Sequence, residues 1–166
     1  MPGLYIWCCG EDHPFAPSVA AAVIDEAVNQ RFRATRSTAQ SIPLSSLEKV
    51  IFNVIDYNPQ GAYDITTGIF TVPDSAAGIY AVTATVTLVL VNAGSLLFMG
   101  LVVNGTEISR GERIELHSGG TYAVSVTDHL NLAAGDEVAA HVLQNDGVRN
   151  TEAASKSNHF SMVRLS

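Results

Sequence analysis

Between Ile79 and Leu90 every even-numbered residue is apolar (Tyr80, Val82, Ala84, Val86, Leu88 and Leu90), while the odd positions carry Thr83, Thr85 and Thr87. A period of two sends successive side chains to opposite faces of a pleated strand, and Val and Thr suit both faces. The stretch is therefore read as a half-buried β-strand. Thr121–Leu130 repeats the device, with Tyr122, Val124, Val126 and Leu130 against Thr121, Ser125 and Thr127. Val138, Ala140 and Val142 alternate with Glu137, Ala139 and His141, and "HFSMVRL" reads as a last short strand. Leu96–Val103, "LLFMGLVV", does not alternate, as befits a strand covered on both faces. In a single antiparallel domain that calls for a second subunit on its outer face.

The connections carry matching turn chemistry. Asn104-Gly105 directly follows "LLFMGLVV" and predicts a two-residue hairpin. Gly119-Gly120, Asn92-Ala-Gly94, Gly135-Asp136 and Asn145-Asp-Gly147 punctuate the other strands. Many short strands without intervening helical patterns predict an all-β fold, an antiparallel sandwich or jelly roll.

The first residues differ. "MPGLYIWCCGEDHPFAP" is irregular, and "SVAAAVIDEAVNQRF" predicts a helix capped by Ser18, with stripes through Val19, Val23 and Ala27 and through Ala20, Ile24, Val28 and Phe32. The expected division is a docking arm and short helix over 1–33, then one domain over 34–166.

Composition narrows the function. The chain has 166 residues, the length of about one domain, and 47% are apolar against 15% charged, enough for a core. Sixteen acidic residues against nine Lys and Arg argue against a nucleic-acid backbone or an anionic membrane surface as partner. No run approaches the roughly 18 apolar residues of a membrane span. The only cysteines, Cys8 and Cys9, are adjacent, which rules out a disulfide framework. No Lys or Arg precedes Arg31, so the basic region of a secretory signal is not expected.

Candidate chemistry is thin. His13, His117, His129, His141 and His159 lack the spacing that aims two ligands at one metal; His129 and His141, both on strands, are the candidates for a metal on a symmetry axis. Adjacent cysteines in "CCGEDH" are poorly spaced for zinc, and Trp7 with Cys8 and Cys9 reads as buried against a neighbour. Nucleophile-elbow, phosphate-loop and dinucleotide motifs do not occur in the sequence. "GTEISRGERIE" reads as a solvated tip, and Asn104-Gly-Thr106 as a plain turn rather than a glycosylation acceptor. No catalytic, cofactor-binding or metal-binding set is assigned.

One stretch is more specific. In "VIFNVIDYNPQGAYDITTGIFTVPDSAAGIYAV" the residues Phe52, Asn53, Tyr63-Asp64, Thr67-Gly68, Phe70, Pro73, Gly78 and Tyr80, joined later by "LAAGDEV" and "SNHFSMVRL", fall in the order and spacing of a known domain. The chain over roughly Ala34 to Leu165 resembles the globular head of complement component one, subunit q, within the tumour-necrosis-factor-like jelly rolls. It departs at Asp74–Ala77, longer than the family's usual link, at Met162 in place of a usual Gly, and at Val82 where an aromatic is usual. Gln40-Ser-Ile-Pro43, followed by Val50 and Phe52, resembles the opening strand of such domains in bacteriophage structural proteins.

The resemblance implies a tight homotrimer, with Leu97, Met99, Leu101 and Val103 expected at the subunit interface. It implies a non-enzymatic virion protein of a tailed phage, assembled in the host cytoplasm. Such a protein would be a tail appendage or minor tail protein for host attachment, or a capsid decoration. Tyr5, Ile6, Trp7 and Phe15, with Ile24 and Val28, are expected to anchor the arm on capsid or tail proteins, since aromatics dominate buried interfaces. The loops would face a host glycan or protein. Asp64, in the family motif, is a single carboxylate and too little for a calcium site. The competing expectation is a secreted or cell-surface trimeric adhesion or lectin-like module, with an enzyme on the same scaffold ranked last.

Overall fold

The computed structural model describes residues 30–153 and 156–166. The expected arm anchors Tyr5, Ile6, Trp7, Phe15, Ile24 and Val28 lie outside the described residues, as does most of the expected helix. The strands are β1 (Arg31–Thr35), β2 (Ser41–Ile42), β3 (Glu48–Lys49), β4 (Val54–Tyr57), β5 (Tyr63–Asp64), β6 (Ile69–Thr71) and β7 (Gly78–Leu90). They continue with β8 (Leu96–Val103), β9 (Thr106–Arg110), β10 (Ile114–Glu115), β11 (Gly120–Leu132), β12 (Glu137–Gln144), β13 (Arg149–Asn150) and β14 (His159–Arg164). Arg31–Arg33, expected to finish the helix and arm, instead open β1 and pair with β14, Phe32 opposite Met162. The Phe32 side chain supplies the reason, because the core takes it whole.

Two antiparallel sheets face each other, the jelly-roll sandwich expected from the alternation. One runs β11-β7-β14-β1-β4; the other runs β10-β8-β12-β6-β5, with β3 added on β12 and β9 on β8. The long strands β7 and β11 pair along their whole length, from Gly78 opposite Leu132 to Leu90 opposite Gly120. The even residues of β7, Tyr80 to Leu90, are all buried.

The fingerprint residues meet in the middle. Phe32 stacks on Tyr63 with ring centroids 4.7 Å apart and on Phe70 at 5.0 Å, while Phe160 meets Phe32 edge-on at 4.9 Å. Phe52 tilts against Phe160, and Phe70 meets Tyr80. Such offset and edge contacts suit the ring quadrupoles and add to the area buried. Tyr63 also carries a polar handle inward: its hydroxyl accepts from Phe52 N (3.0 Å) and donates to Phe52 O (3.2 Å). Burial raises its pKa. Asp64 holds the following turn, accepting from Thr66 N at 2.7 Å and Thr67 Oγ1 at 3.1 Å, while Gly68 supplies φ +71°. Asn104 (φ 51°) and Gly105 (φ 79°) form the expected hairpin between β8 and β9.

The strand "LLFMGLVV" is resolved differently from its expectation. Leu97, Met99 and Leu101 are fully buried in the chain's own core, and Val103 packs against it, so these four do not form a face offered to another copy. On the opposite face, Phe98 and Gly100 are covered from within the chain by β9. The Arg110 guanidinium lies 4.2 Å from the Phe98 ring centroid, and a Cβ on Gly100 would meet Glu107 Oε1 at 2.8 Å. "GTEISRGERIE", expected as a solvated tip, therefore begins with a paired strand whose charged residues roof an apolar one.

At the far end of β7 a buried carboxylate organises the loops. Asp146 Oδ2 accepts from Val91 N (2.5 Å) and from Arg149 Nε (2.9 Å), and Oδ1 accepts from the Asn92 side chain. Gln144 Oε1 accepts from Asp146 N at 2.6 Å. The Arg149 guanidinium and the Val91 amide hold the Asp146 carboxyl well below the usual carboxylate range, against the opposing effect of burial.

Two outcomes are expected. Tyr63→Phe strands the buried N–H and C=O of Phe52 and lowers unfolding free energy by about 2 kcal/mol in urea titrations. Asp146→Asn costs about 3 kcal/mol near pH 7 by breaking a buried pair. The Asp146 carboxyl has a depressed folded pKa, so its stabilisation is complete above the unfolded value near 4 and fades as the pH falls below it. The gap between wild type and Asp146→Asn in the same titrations should accordingly narrow below about pH 4.

Candidate functional site

The odd-numbered residues of β7 and β11 and their neighbours on β14 and β1 form the outward face of the β11-β7-β14-β1 sheet. Register places its side chains in rows across the strands: Ser125–Thr85–His159–Thr35, Thr127–Thr83–Ser161–Arg33 and His129–Ala81–Val163–Arg31. Thr85 and Ser125 share a hydrogen bond of 2.8 Å, and Thr83 and Thr127 one of 3.2 Å. The middle of this face is thus Thr, Ser and Ala with His159 among them, and most of its side chains are short. Exposed Ile79, Val89 and Val163 border it, and Arg33 at its edge is paired with Asp56. Such a face is flat, weakly charged and closely approachable, which suits contact with another protein surface. The period-two signal held this information, but the threonines read only as the solvent side of a half-buried strand.

The other sheet bears a groove of about 340 Å³, with Ile69, Val102 and Ala139 on its floor and Lys49, Glu107, Glu137 and His141 around it. His141 Nδ1 lies 3.3 Å from Leu47 O, and burial lowers its pKa so that the neutral ring is favoured. Arg110 engages Glu107 through two bonds of 2.7 Å, holding that carboxylate below its usual range. His129, the other expected metal candidate, lies exposed on the opposite sheet, so the two are not brought together. Among the described residues no group of three or more His, Cys, Asp or Glu is placed to hold a metal ion.

The loop residues are largely occupied by structure. Asp64 serves the turn after β5, and its Thr66 and Thr67 partners hold its carboxyl below the usual range. Asn104 Nδ2 donates to Asp136 Oδ1 (2.8 Å) and its Oδ1 accepts from Glu137 N (2.9 Å), tying the hairpin to the "LAAGDEV" turn. The long link Asp74–Ala77 is anchored at its inner end. Tyr80 donates to Ala76 O at 2.5 Å, and Arg164 donates to Ala77 O at 2.7 Å. Burial raises the Tyr80 pKa to about 12.

Comparison with known proteins agrees with this architecture. No match is found among curated protein sequences. Solved structures share the fold, these three among them. Murine APRIL matches with a TM-score of 0.61 at 14% identity, over 82% of this chain and 99% of that one. Eiger TNF from S. frugiperda matches with a TM-score of 0.59 at 13% identity, over 83% and 93%. The globular domain of zebrafish complement 1qA matches with a TM-score of 0.56 at 16% identity, over 82% and 98%. The C1q domain pattern itself matches residues 31–161, beginning at the first residue of β1. That family consists of trimeric, non-enzymatic binding modules. With the two-sheet sandwich, the aromatic fingerprint and that match together, this chain belongs to the C1q domain family.

Proposed function

We propose that this chain is a non-enzymatic virion protein of a tailed bacteriophage, a homotrimeric jelly roll displayed on the particle and held there by its first 29 residues. The observation that carries self-association is the Thr, Ser and Ala centre of the β11-β7-β14-β1 face, bordered by exposed Ile79, Val89 and Val163. Burying this face removes the apolar border from water and demands little desolvation of charge at the centre. It replaces the "LLFMGLVV" strand as the subunit contact. The phage reading rests on the resemblance of Gln40–Pro43 with Val50 and Phe52, and on the aromatic arm. Capsid or tail proteins are the partners of that arm, through Tyr5, Ile6, Trp7 and Phe15 with Ile24 and Val28. Loops at the Asp146 end of β7, over 91–95 and 145–149, lie at the opposite end of the sandwich from residue 30, to which the arm is joined.

The second reading is a secreted or cell-surface trimeric adhesion or lectin-like module; the solved structures similar to this chain, from an insect, a fish and a mouse, favour it. The two readings share the trimer and differ in the particle.

Sedimentation of purified protein should report three chains of 17.6 kDa each. Thr83→Arg, which drives a long cation into the middle of the face between β11 and β14, should give a monomer that keeps its β-sheet circular dichroism. A monomeric wild type sinks the trimer. Because β1 begins at Arg31, the informative deletion ends at residue 29 rather than 33. The shortened protein should fold and trimerise but fail to join phage particles, and unchanged incorporation would remove the anchor.

A further inference from the structure

Asn104-Gly105 is the one place in the sequence where an Asn precedes a Gly. Such a pair carries its own chemistry, because the Asn side-chain amide lies within reach of the next backbone nitrogen and Gly sets no Cβ in the way. Gly105 N, on losing its proton, can attack Asn104 Cγ. The new N–Cγ bond closes a five-membered succinimide, and the Cγ–Nδ2 bond breaks, Nδ2 leaving as ammonia with the proton that Gly105 gave up. One water then adds across either imide C–N bond, its hydroxyl going to the carbonyl carbon and its proton to the nitrogen. Position 104 becomes an aspartyl or isoaspartyl residue, a negative charge in place of a neutral amide. Both residues are exposed at the tip of the β8–β9 hairpin, so water reaches the pair.

The fold nevertheless holds the amide away from its neighbour. Asn104 Nδ2 donates to Asp136 Oδ1 at 2.8 Å, and Asn104 Oδ1 accepts from Glu137 N at 2.9 Å. Asn104 N also donates to Glu137 O at 2.9 Å, so backbone and side chain are gripped by the same two residues. Asp136 is itself braced, since its Oδ2 accepts from Ala133 N at 2.8 Å while the preceding Gly135 N donates to Val72 O at 2.9 Å. The Asn104 amide and the Ala133 N–H hold the Asp136 carboxyl below the usual range, and a charged acceptor makes the stronger bond. Bringing Cγ onto Gly105 N requires the Asn104 side chain to swing, which breaks both of its bonds at once. The reaction then runs at the rate of the open hairpin multiplied by the fraction of time it is open.

The same clamp dictates what conversion does. A carboxylate at position 104 sets a negative oxygen where Nδ2 met Asp136 Oδ1, and like charges at that separation repel. The hairpin is driven off the turn that carries Asp136, and with it the start of β9, whose Glu107 and Arg110 cover Gly100 and Phe98. We propose that Asn104 is a site of self-modification, converted through Gly105 N to an acidic residue, that the clamp of Asp136 and Glu137 keeps shut in the intact fold and whose conversion releases the hairpin. The tip of β8–β9 thereby keeps a one-way chemical record of how often the clamp has opened.

The test is peptide mapping of full-length protein incubated in warm, mildly alkaline buffer, with aspartyl and isoaspartyl products at position 104 counted over time. Conversion should be at least tenfold slower in the folded protein than in the same protein held in urea. Asp136→Ala removes the charged acceptor and should speed conversion of the folded protein at least fivefold. Asp136→Asn keeps an uncharged acceptor and should fall between the two. Circular dichroism is recorded for each, and if Asp136→Ala loses its sheet signal the Asp136→Asn rate decides. Gly105→Ala, followed in urea, places a Cβ beside the attacking nitrogen and should slow conversion at least tenfold. Asn104→Asp supplies the aspartyl product directly and should unfold at lower urea than wild type near pH 7. That gap should narrow below about pH 4, where the facing carboxyls take up protons and stop repelling. No conversion in urea would overturn the site, and an equal rate in Gly105→Ala would overturn the route through Gly105 N. Equal rates in folded and urea-held wild type, or a folded Asp136 variant as slow as wild type, would overturn the clamp. An Asn104→Asp protein as stable as wild type would overturn the release of the hairpin.

Discussion

The stack of Phe32 on Tyr63 is the contact on which the other features depend. Phe32 comes from β1 in one sheet and Tyr63 from β5 in the other, so one pair of rings joins the two layers. Phe70 and Phe160 extend the joint along both sheets, and Tyr80 continues it toward the Asp74–Ala77 link. Two of these aromatics also end in hydroxyls that bond to backbone inside the core. Tyr63 fixes the backbone at Phe52, and Tyr80 fixes it at Ala76. Hydrophobic packing and loop geometry are thus carried by the same side chains. A ring that shifted to suit one sheet would pull a loop with it, which ties the shape of the surface to the interior.

This dependence explains why so much of the fold was legible in the sequence. Phe52, Tyr63, Phe70 and Tyr80 are widely spaced along the chain but answer to one cluster, so their order is itself a constraint. The alternation in β7 and β11 and the Asn104-Gly105 turn act through local geometry, which periodicity reads directly. The outer face of β8 was illegible for the opposite reason. Its cover comes from Arg110 and Glu107, residues that look like solvent in one dimension and become a roof only once β9 folds back. The flat face of the β7 sheet was hidden differently. Thr83, Thr85, Ser125 and Ser161 lie on three strands, and their common plane exists only after pairing. Gln30 fell at the end of a helical pattern, where a polar residue attracts no notice; its significance depends on what surrounds it in space.

The polar interior is divided between the two ends of the sandwich. At one end Asp146 and Gln144 are satisfied from several directions, and their bonds hold together loops that share no strand. At the other, the Gln30 side-chain amide and Gln60 Oε1 are buried without a hydrogen-bond partner among the described residues. A satisfied network rigidifies, whereas an open one stores unmet hydrogen-bonding capacity.

The way the chain enters and leaves the domain gives the molecule a direction. Arg164 N bonds to Gln30 O at 2.9 Å, and Ser166 O accepts from Ile79 N at 3.2 Å, so residues 30 and 166 sit together beside the start of β7. A strand of that length sets the Asp146 loops about 40 Å away. A protein fused after residue 166 would emerge next to residue 30 and leave the distant loops unobstructed. A short peptide joining 166 to 30 would make a circular permutant with new ends at Asn104-Gly105, an exposed turn that interrupts no strand. Engineering of this scaffold therefore has a near end for attachment and a far end for display.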